Sequence, residues 1–316
     1  MALSAGSPDP APADYDALDI ELSVPQNERD VGIAGHTAWI TGAGGLIGNY
    51  LVQTAPTFAS GWRVVGLIRA QLELTDFSVV RAAFTSQRPQ LLIHCAALSQ
   101  SPVCQANPAL ARQLNVEVTR YLAELASGIP LIFFSSDLVF DGRKGNYVES
   151  DPVNPLSVYA ETKVAAEQIV LRNPRHTVVR TSLNGGASPS GERGFNEELR
   201  RAWQAGKTLN LFTDEFRCPI PAEVTARAVW ELVAKNQPGV YHIAGSERLS
   251  RWQIGQLIAA RWPQLNPRIG PGSRKEYQGA PRPPDTSLNC AKIQKLLSFS
   301  LPGLTEWLKA NHDEPF

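Results

Sequence analysis

Thr37-Ala38-Trp39-Ile40-Thr41-Gly42-Ala43-Gly44-Gly45-Leu46-Ile47-Gly48 is an apolar run that ends in glycines and passes into residues of helical character up to Ala55. Glycines at 42, 45 and 48 sit where a strand gives way to a helix. Such a turn is too tight for side chains, its backbone must approach a pyrophosphate, and the helix must pack close against the strand. The free N–H groups at the helix start then face the anion. Strand, turn, helix and a next strand at Trp62 to Ile68 follow in the order that dinucleotide binding requires. Gly42, Gly45, Leu46, Ile47 and Gly48 are therefore the expected phosphate cradle.

The end of that second strand bears on cofactor choice. An acidic residue there would bind the ribose 2′-hydroxyl of NAD, whereas an arginine accommodates the 2′-phosphate of NADP. The sequence reads Gly66-Leu67-Ile68-Arg69, with no acid before Glu73. Arg69 points to NADP, with NAD the alternative if Arg69 is only a solvated strand-end residue.

Outward from the glycine loop, strand-like and helix-like segments alternate. Leu91 to Ala97, Pro130 to Ser135 and His176 to Arg180 are further apolar strands, and Pro108 to Ser127 and Tyr159 to Arg172 are helical. Continuous apolar strands separated by amphipathic helices indicate a parallel sheet covered on both faces, a Rossmann-type doubly wound α/β fold. The second half breaks the pattern. Gly185 to Gly194 is rich in Gly and Ser, and Arg268 to Pro284 is rich in Pro and Gly. Helices are expected at Phe195 to Ala205, Ala222 to Lys235 and Trp252 to Arg261, with a strand at Gly239 to Ile243. The expected division is a dinucleotide-binding domain over 35–182, to which 214–245 returns, and a smaller C-terminal substrate-binding portion of 183–213 and 246–316.

Residues 1–34 form the expected disordered acidic tail: its first 30 residues hold four prolines, seven acidic residues and one arginine. That composition suits neither a signal peptide nor a mitochondrial transit peptide. The 30 basic and 30 acidic side chains of the chain cancel, which argues against a nucleic-acid surface. No apolar run is long enough to span a bilayer. Cys95, Cys104, Cys218 and Cys290 show no Cys-x-x-Cys pair or zinc-type spacing, so reduced thiols in a cytoplasmic protein and no metal are expected.

Tyr159-Ala160-Glu161-Thr162-Lys163 opens a helix, and a spacing of four residues puts Tyr159 and Lys163 on one face. A neighbouring ammonium lowers the pKa of a phenol towards the working range of an acid–base catalyst. Just upstream, a buried strand ends in Ser135-Ser136-Asp137, where open α/β sheets place their ligands. Ser136 there is suited to hydrogen-bonding a substrate carbonyl. Asp137 is either a second acid or a turn cap, His94 suits a hydrogen-bonded core histidine, and Asn115 either holds a backbone group near the site or is a polar helix-face residue.

The glycine loop, the run Ser135 to Gly142 and Tyr159-x-x-x-Lys163 together resemble the extended short-chain dehydrogenase/reductase superfamily. His94-Cys95-Ala96-Ala97, Asn115-Val116, Glu149 to Pro155, Arg180-Thr181-Ser182 and Asp214 to Pro219 resemble its dTDP-4-dehydrorhamnose reductase (RmlD-like) branch. The resemblance implies a catalytic triad of Ser136, Tyr159 and Lys163, with Tyr159 and Lys163 also meeting the cofactor. It implies cofactor contacts at Glu73, Leu74, Ala96 and Ala97, and substrate contacts at Ser99, Ser136, Asp137, Leu138 and Arg217. The implied reaction is NADPH-dependent reduction of a nucleotide-linked 4-keto-6-deoxy sugar, with a homodimer as the assembly considered. Leu138 departs from the tyrosine usual in that branch. Dehydration is disfavoured because no glutamate follows Asp137. A nucleotide-sugar epimerase is the enzyme alternative. The regulatory subunit of methionine adenosyltransferase, which this branch also resembles, is the non-catalytic one.

Overall fold

The computed structural model describes residues 36–312 together with Glu314 and Phe316; the expected acidic tail lies outside the described residues. Strands β1 (His36–Thr41), β2 (Trp62–Leu67), β3 (Leu91–His94), β4 (Leu131–Ser136) and β5 (Thr177–Thr181) come first in chain order. They are followed by β6 (Asn184–Gly185), β7 (Thr208–Phe212), β8 (Phe216–Arg217), β9 (Ile220–Pro221), β10 (Gly239–Ile243), β11 (Leu249–Ser250) and β12 (Arg268–Gly272). The central sheet has the order β2-β1-β3-β4-β5-β10 and is parallel throughout. From β1 the chain builds outward to β2 on one side and through β3, β4, β5 and β10 on the other. The crevice between the ends of β1 and β3 is thus the topological switch point, where such sheets bind ligands.

Period-two alternation explains why these strands are apolar throughout. Ala38 and Ile40 of β1, and Ile132 and Phe134 of β4, join the core on one face. Trp39, Leu131 and Phe133 join the core on the other. Helices α1 (Leu46–Phe58) and α8 (Ala222–Lys235) cover the first face, with Trp230 buried between them and its Nε1–H donating to the Leu51 carbonyl at 3.1 Å. Helices α2 (Phe77–Gln87), α5 (Val118–Leu125) and α6 (Val158–Val170) cover the second. A separate core, including Leu199 and Trp203 of α7 (Phe195–Gln204) and Ile254 and Ile258 of α9 (Arg251–Arg261), lies in the C-terminal half.

Two segments differ from their sequence expectations. Pro108 to Ser127 is not one regular helix: α3 (Ser101–Ala106) and α4 (Pro108–Arg112) lead into a π-helical turn, Gln113–Glu117, before α5. Asn107 starts α4 by accepting from the Leu110 N–H at 3.2 Å. Helix α2 was not expected; Asp76 caps it by accepting from the Ser78 and Val79 N–H groups, both at 3.1 Å. Among the described residues no helix is long and apolar enough to cross a membrane.

Candidate active site

The glycine loop closes as its spacing requires. Gly42 has φ +72, and a Cβ there would press on the Ala96 backbone nitrogen at 2.6 Å. At Gly48 a Cβ would run into the Gly42 carbonyl, so only glycine lets α1 start this close to the strand. Gly45 precedes α1 without a side-chain cap, which leaves the first-turn N–H groups of Leu46 and Ile47 directed at the crevice. Across from them, Ala96 and Ala97 leave the end of β3. Arg69, Glu73 and Leu74 follow β2 on the same wall. The Arg69 side chain is 85% exposed, with its Nε 2.8 Å from Glu73 Oε2. Glu73 also accepts from the Thr75 N–H at 3.0 Å and hydroxyl at 2.8 Å. This cradle, with no room for a side chain at its base and an uncapped helix start above it, fits a dinucleotide.

The cleft runs on to a total of about 670 Å³. Ser99, Ser136, Leu138, Tyr159, Lys163 and Arg217 all border it. Ser157 starts α6 by accepting from the Ala160 N–H at 3.4 Å, which puts Tyr159 in the first turn and Lys163 one turn on. Ser136, the last residue of β4, lies beside the Tyr159 phenol and favours its ionised form. The three catalytic candidates therefore come together on one wall.

Their electrostatics correct one expectation. Lys163 Nζ donates to the Phe134 carbonyl at 2.8 Å, lies 4.6 Å from the centre of the Phe133 ring and is 6.0 Å from that of Tyr159. Burial pulls this ammonium down to about 8. The Tyr159 phenol is not lowered. Burial, followed by the negative charge of Asp137, holds it above the usual phenol range, against the opposing hydrogen bond of Ser136. The phenol is thus a proton-bearing acid at neutral pH.

A second correction concerns Asp137 and Arg217. Asp137 is 0% exposed and is not part of the cleft wall. Its Oδ2 accepts from Arg217 Nε at 2.6 Å and Ser182 Oγ at 2.7 Å, and its Oδ1 accepts from Arg217 Nη2. Asp137 is therefore neither a substrate contact nor a side-chain cap; Ser136 Oγ caps the turn by accepting from the Leu138 N–H at 3.2 Å. Arg217, 4% exposed, borders the cleft but spends its fork on Asp137, with Nη1 3.5 Å from Glu215. Its guanidinium is thus held by carboxylates rather than free for a phosphate.

Sequence reasoning missed the residues beside it. Glu215 is buried among Arg217, Arg251 (2.9 Å) and Arg282 (3.2 Å). Burial alone would raise its carboxyl, but Arg251, Arg217 and Arg282 outweigh that and hold it near 2. Arg251 and Arg282 border the cleft, so this wall carries an excess of positive charge. The signal available was Asp214-Glu215-Phe216-Arg217; nothing in the sequence tied Arg251 or Arg282 to it.

His94 is a core histidine, its Nδ1 2.7 Å from Thr41 Oγ1 and its Nε2 3.0 Å from Thr119 Oγ1; burial, then Lys163, pulls it down to about 3. Asn115 holds a backbone group. From the π-helical turn its Oδ1 accepts from the Leu98 N–H at 2.7 Å, and its Nδ2 donates to the Leu98 carbonyl and to Thr162 Oγ1, both at 3.0 Å. The loop after β3 is thereby tied to the helix that carries Tyr159. π turns recur at such sites.

Comparison with known proteins agrees with this architecture. The family model described as the RmlD substrate binding domain matches residues 37–314. Methionine adenosyltransferase 2 subunit beta of Xenopus laevis is 29% identical over 285 residues, 85% of this chain and 85% of its own length. The dTDP-4-dehydrorhamnose reductase of Sinorhizobium fredii is 28% identical over 258 residues, 77% of this chain and 86% of its own. The structure of dTDP-4-dehydrorhamnose reductase from Bacillus anthracis, in complex with NADP, shares the fold with a TM-score of 0.79 at 23% identity, covering 87% of this chain and 98% of that one.

Proposed function

The chain belongs to the RmlD substrate binding domain family, and from that premise we propose that it is an NADPH-dependent reductase of a nucleotide-linked 4-keto-6-deoxy sugar. The observation that carries this reading is the convergence of Ser136, Tyr159 and Lys163 on the wall of a cleft floored by the glycine cradle. Gly42, Gly45 and Gly48 would hold the pyrophosphate of NADPH, which when bound would supply a hydride for a substrate ketone. Tyr159 gives the ketone oxygen its proton, which its raised phenol still holds at neutral pH. Ser136 orients that phenol. Lys163, fixed on the Phe134 carbonyl, keeps further N–H donors for a ribose hydroxyl. Arg251 and Arg282 give the cleft lining positive charge that suits the phosphates of a nucleotide sugar. Loss of reduced-nicotinamide absorbance on adding a nucleotide-linked keto sugar tests the reading.

Two outcomes follow for the cofactor. Arg69→Ala should weaken NADPH binding by roughly 10- to 100-fold and leave NADH nearly unchanged, because one charge-assisted contact is lost. Equal losses for both cofactors, measured by fluorescence titration, would remove Arg69 from the 2′-phosphate. Lys163, down at about 8, loses its charge as pH rises through that value, so turnover should show an alkaline limb there. Lys163→Arg keeps the charge and should carry the limb out of range; a limb unmoved in that variant would belong to another group.

A second reading is favoured by the 29% identity to methionine adenosyltransferase 2 subunit beta: a nucleotide-binding subunit serving a partner enzyme. The two separate by purification. A stoichiometric partner, with no NADPH consumed on any keto sugar, supports the subunit.

A further inference from the structure

Within the reductase reading, we propose that Glu167 is a positioning residue for Lys163: gripped by Arg180 and Ser135, its carboxylate fixes α6 against β4 one turn beyond the lysine and stands there as the buried countercharge of the ammonium. The assignment rests on two attachments that lie side by side. Lys163 and Glu167 are four residues apart on α6, so their side chains share one face. The strand residues they meet are consecutive. Lys163 Nζ donates to the Phe134 carbonyl at 2.8 Å, and Ser135 Oγ donates to Glu167 Oε1 at 2.5 Å. The next residue of the strand is Ser136. A slip of α6 along β4 would break both contacts together, so Glu167 sets where the Lys163 ammonium lies relative to Ser136.

Glu167 itself cannot turn away. Arg180 lies opposite Ser135 in the register of β4 and β5, and it donates to both carboxylate oxygens, from Nε to Oε1 at 3.0 Å and from Nη2 to Oε2 at 2.7 Å. Both side chains are buried. Apolar side chains of similar volume often pack such a site as stably, so packing alone does not account for the pair. The titratable groups facing the ammonium are His94 at the end of β3, Cys95 directly after it, Cys104 from α3, and Tyr159 and Glu167 on its own helix. Burial, then Lys163, keeps His94 neutral, and burial pushes both thiols and the phenol up, so these three hold their protons near neutral pH. Glu167, ion-paired with Arg180, is the charged member of the set. Burial pulls Lys163 down to about 8, and Glu167 opposes that fall with a fixed charge.

The test follows the Lys163 ammonium itself, by NMR titration of protein carrying carbon-13 at the lysine ε-carbons, with the Lys163 signal assigned as the one missing from Lys163→Arg. Glu167→Gln should let Lys163 lose its proton about 1 pH unit or more below the wild-type midpoint, as expected when a close opposite charge is removed. That variant leaves Arg180 buried without its partner. Glu167→Gln with Arg180→Met removes both charges, avoids an uncompensated buried ion and should shift Lys163 in the same direction. Mere loosening of the fold would admit water and move the midpoint the other way, towards the ordinary lysine range. A midpoint unmoved or raised in both variants overturns the proposal. Neither cofactor nor substrate enters this measurement. A lowered midpoint without keto-sugar turnover by the wild-type protein upholds the positioning role and removes the reductase reading, whereas turnover with an unmoved midpoint does the reverse.

Discussion

Tyr159→Phe is expected to lower kcat by roughly 10²- to 10⁴-fold, the usual contribution of a positioned proton donor, while leaving NADPH affinity nearly intact. The ring stays where it is because apolar neighbours hold it: Cys104 and Ala111 are buried against it, with Leu98, Leu138 and Val158 around them. Only the oxygen that meets Ser136 is lost. Lys163→Ala should lower both turnover and cofactor affinity. The pair should be non-additive, since the two side chains disable one unit. Steady-state kinetics with a parallel NADPH titration separates these outcomes. Wild-type turnover in the phenylalanine variant, on a substrate the protein demonstrably reduces, would falsify the assignment of Tyr159.

Arg217→Ala is expected to cost about 3–5 kcal/mol of stability, because removing one partner leaves Asp137 fully buried without a countercharge. In a unit this large that is a fall of roughly 5–9 °C in Tm. The exposed Arg69–Glu73 pair gives the contrast: Arg69→Ala should leave Tm nearly unchanged. Thermal melts of both variants, followed by KM for the nucleotide sugar, check the point. A raised KM with unaltered Tm would return Arg217 to the substrate phosphate that its sequence context suggested.

The sheet was legible for a physical reason. Strands buried on both faces must be apolar at every position, so β1, β4 and β5 read as runs whose neighbours needed no identification. The glycine cradle was legible because backbone approach forbids a Cβ at Gly42 and Gly48. Tyr159 and Lys163 were legible because four-residue spacing on a helix is a local rule. Helix α2 was missed because only Val80 is buried along it, so its apolar stripe is too thin to read. The π turn depends on what Asn115 finds across the loop, which no local pattern encodes. Asp137 and Arg217 lie 80 residues apart, and Glu215 draws Arg251 and Arg282 from 36 and 67 residues away. An ion network assembled at such separations leaves no periodicity, and its buried carboxylates are what turned Arg217 from a free cation into a fixed one.

That network also separates the two functional readings. A subunit that only binds nucleotide needs the cradle but not a phenol kept protonated at the cleft wall. The most direct measurement uses NADPH carrying deuterium at its reactive carbon, incubated with the protein and nucleotide-linked 4-keto-6-deoxy sugars, with the sugar product read by mass spectrometry. The account predicts one NADPH consumed for each product formed and one deuterium on the new carbinol carbon, with both lost in Tyr159→Phe. NADPH bound but unconsumed across the whole set of keto sugars would contradict it.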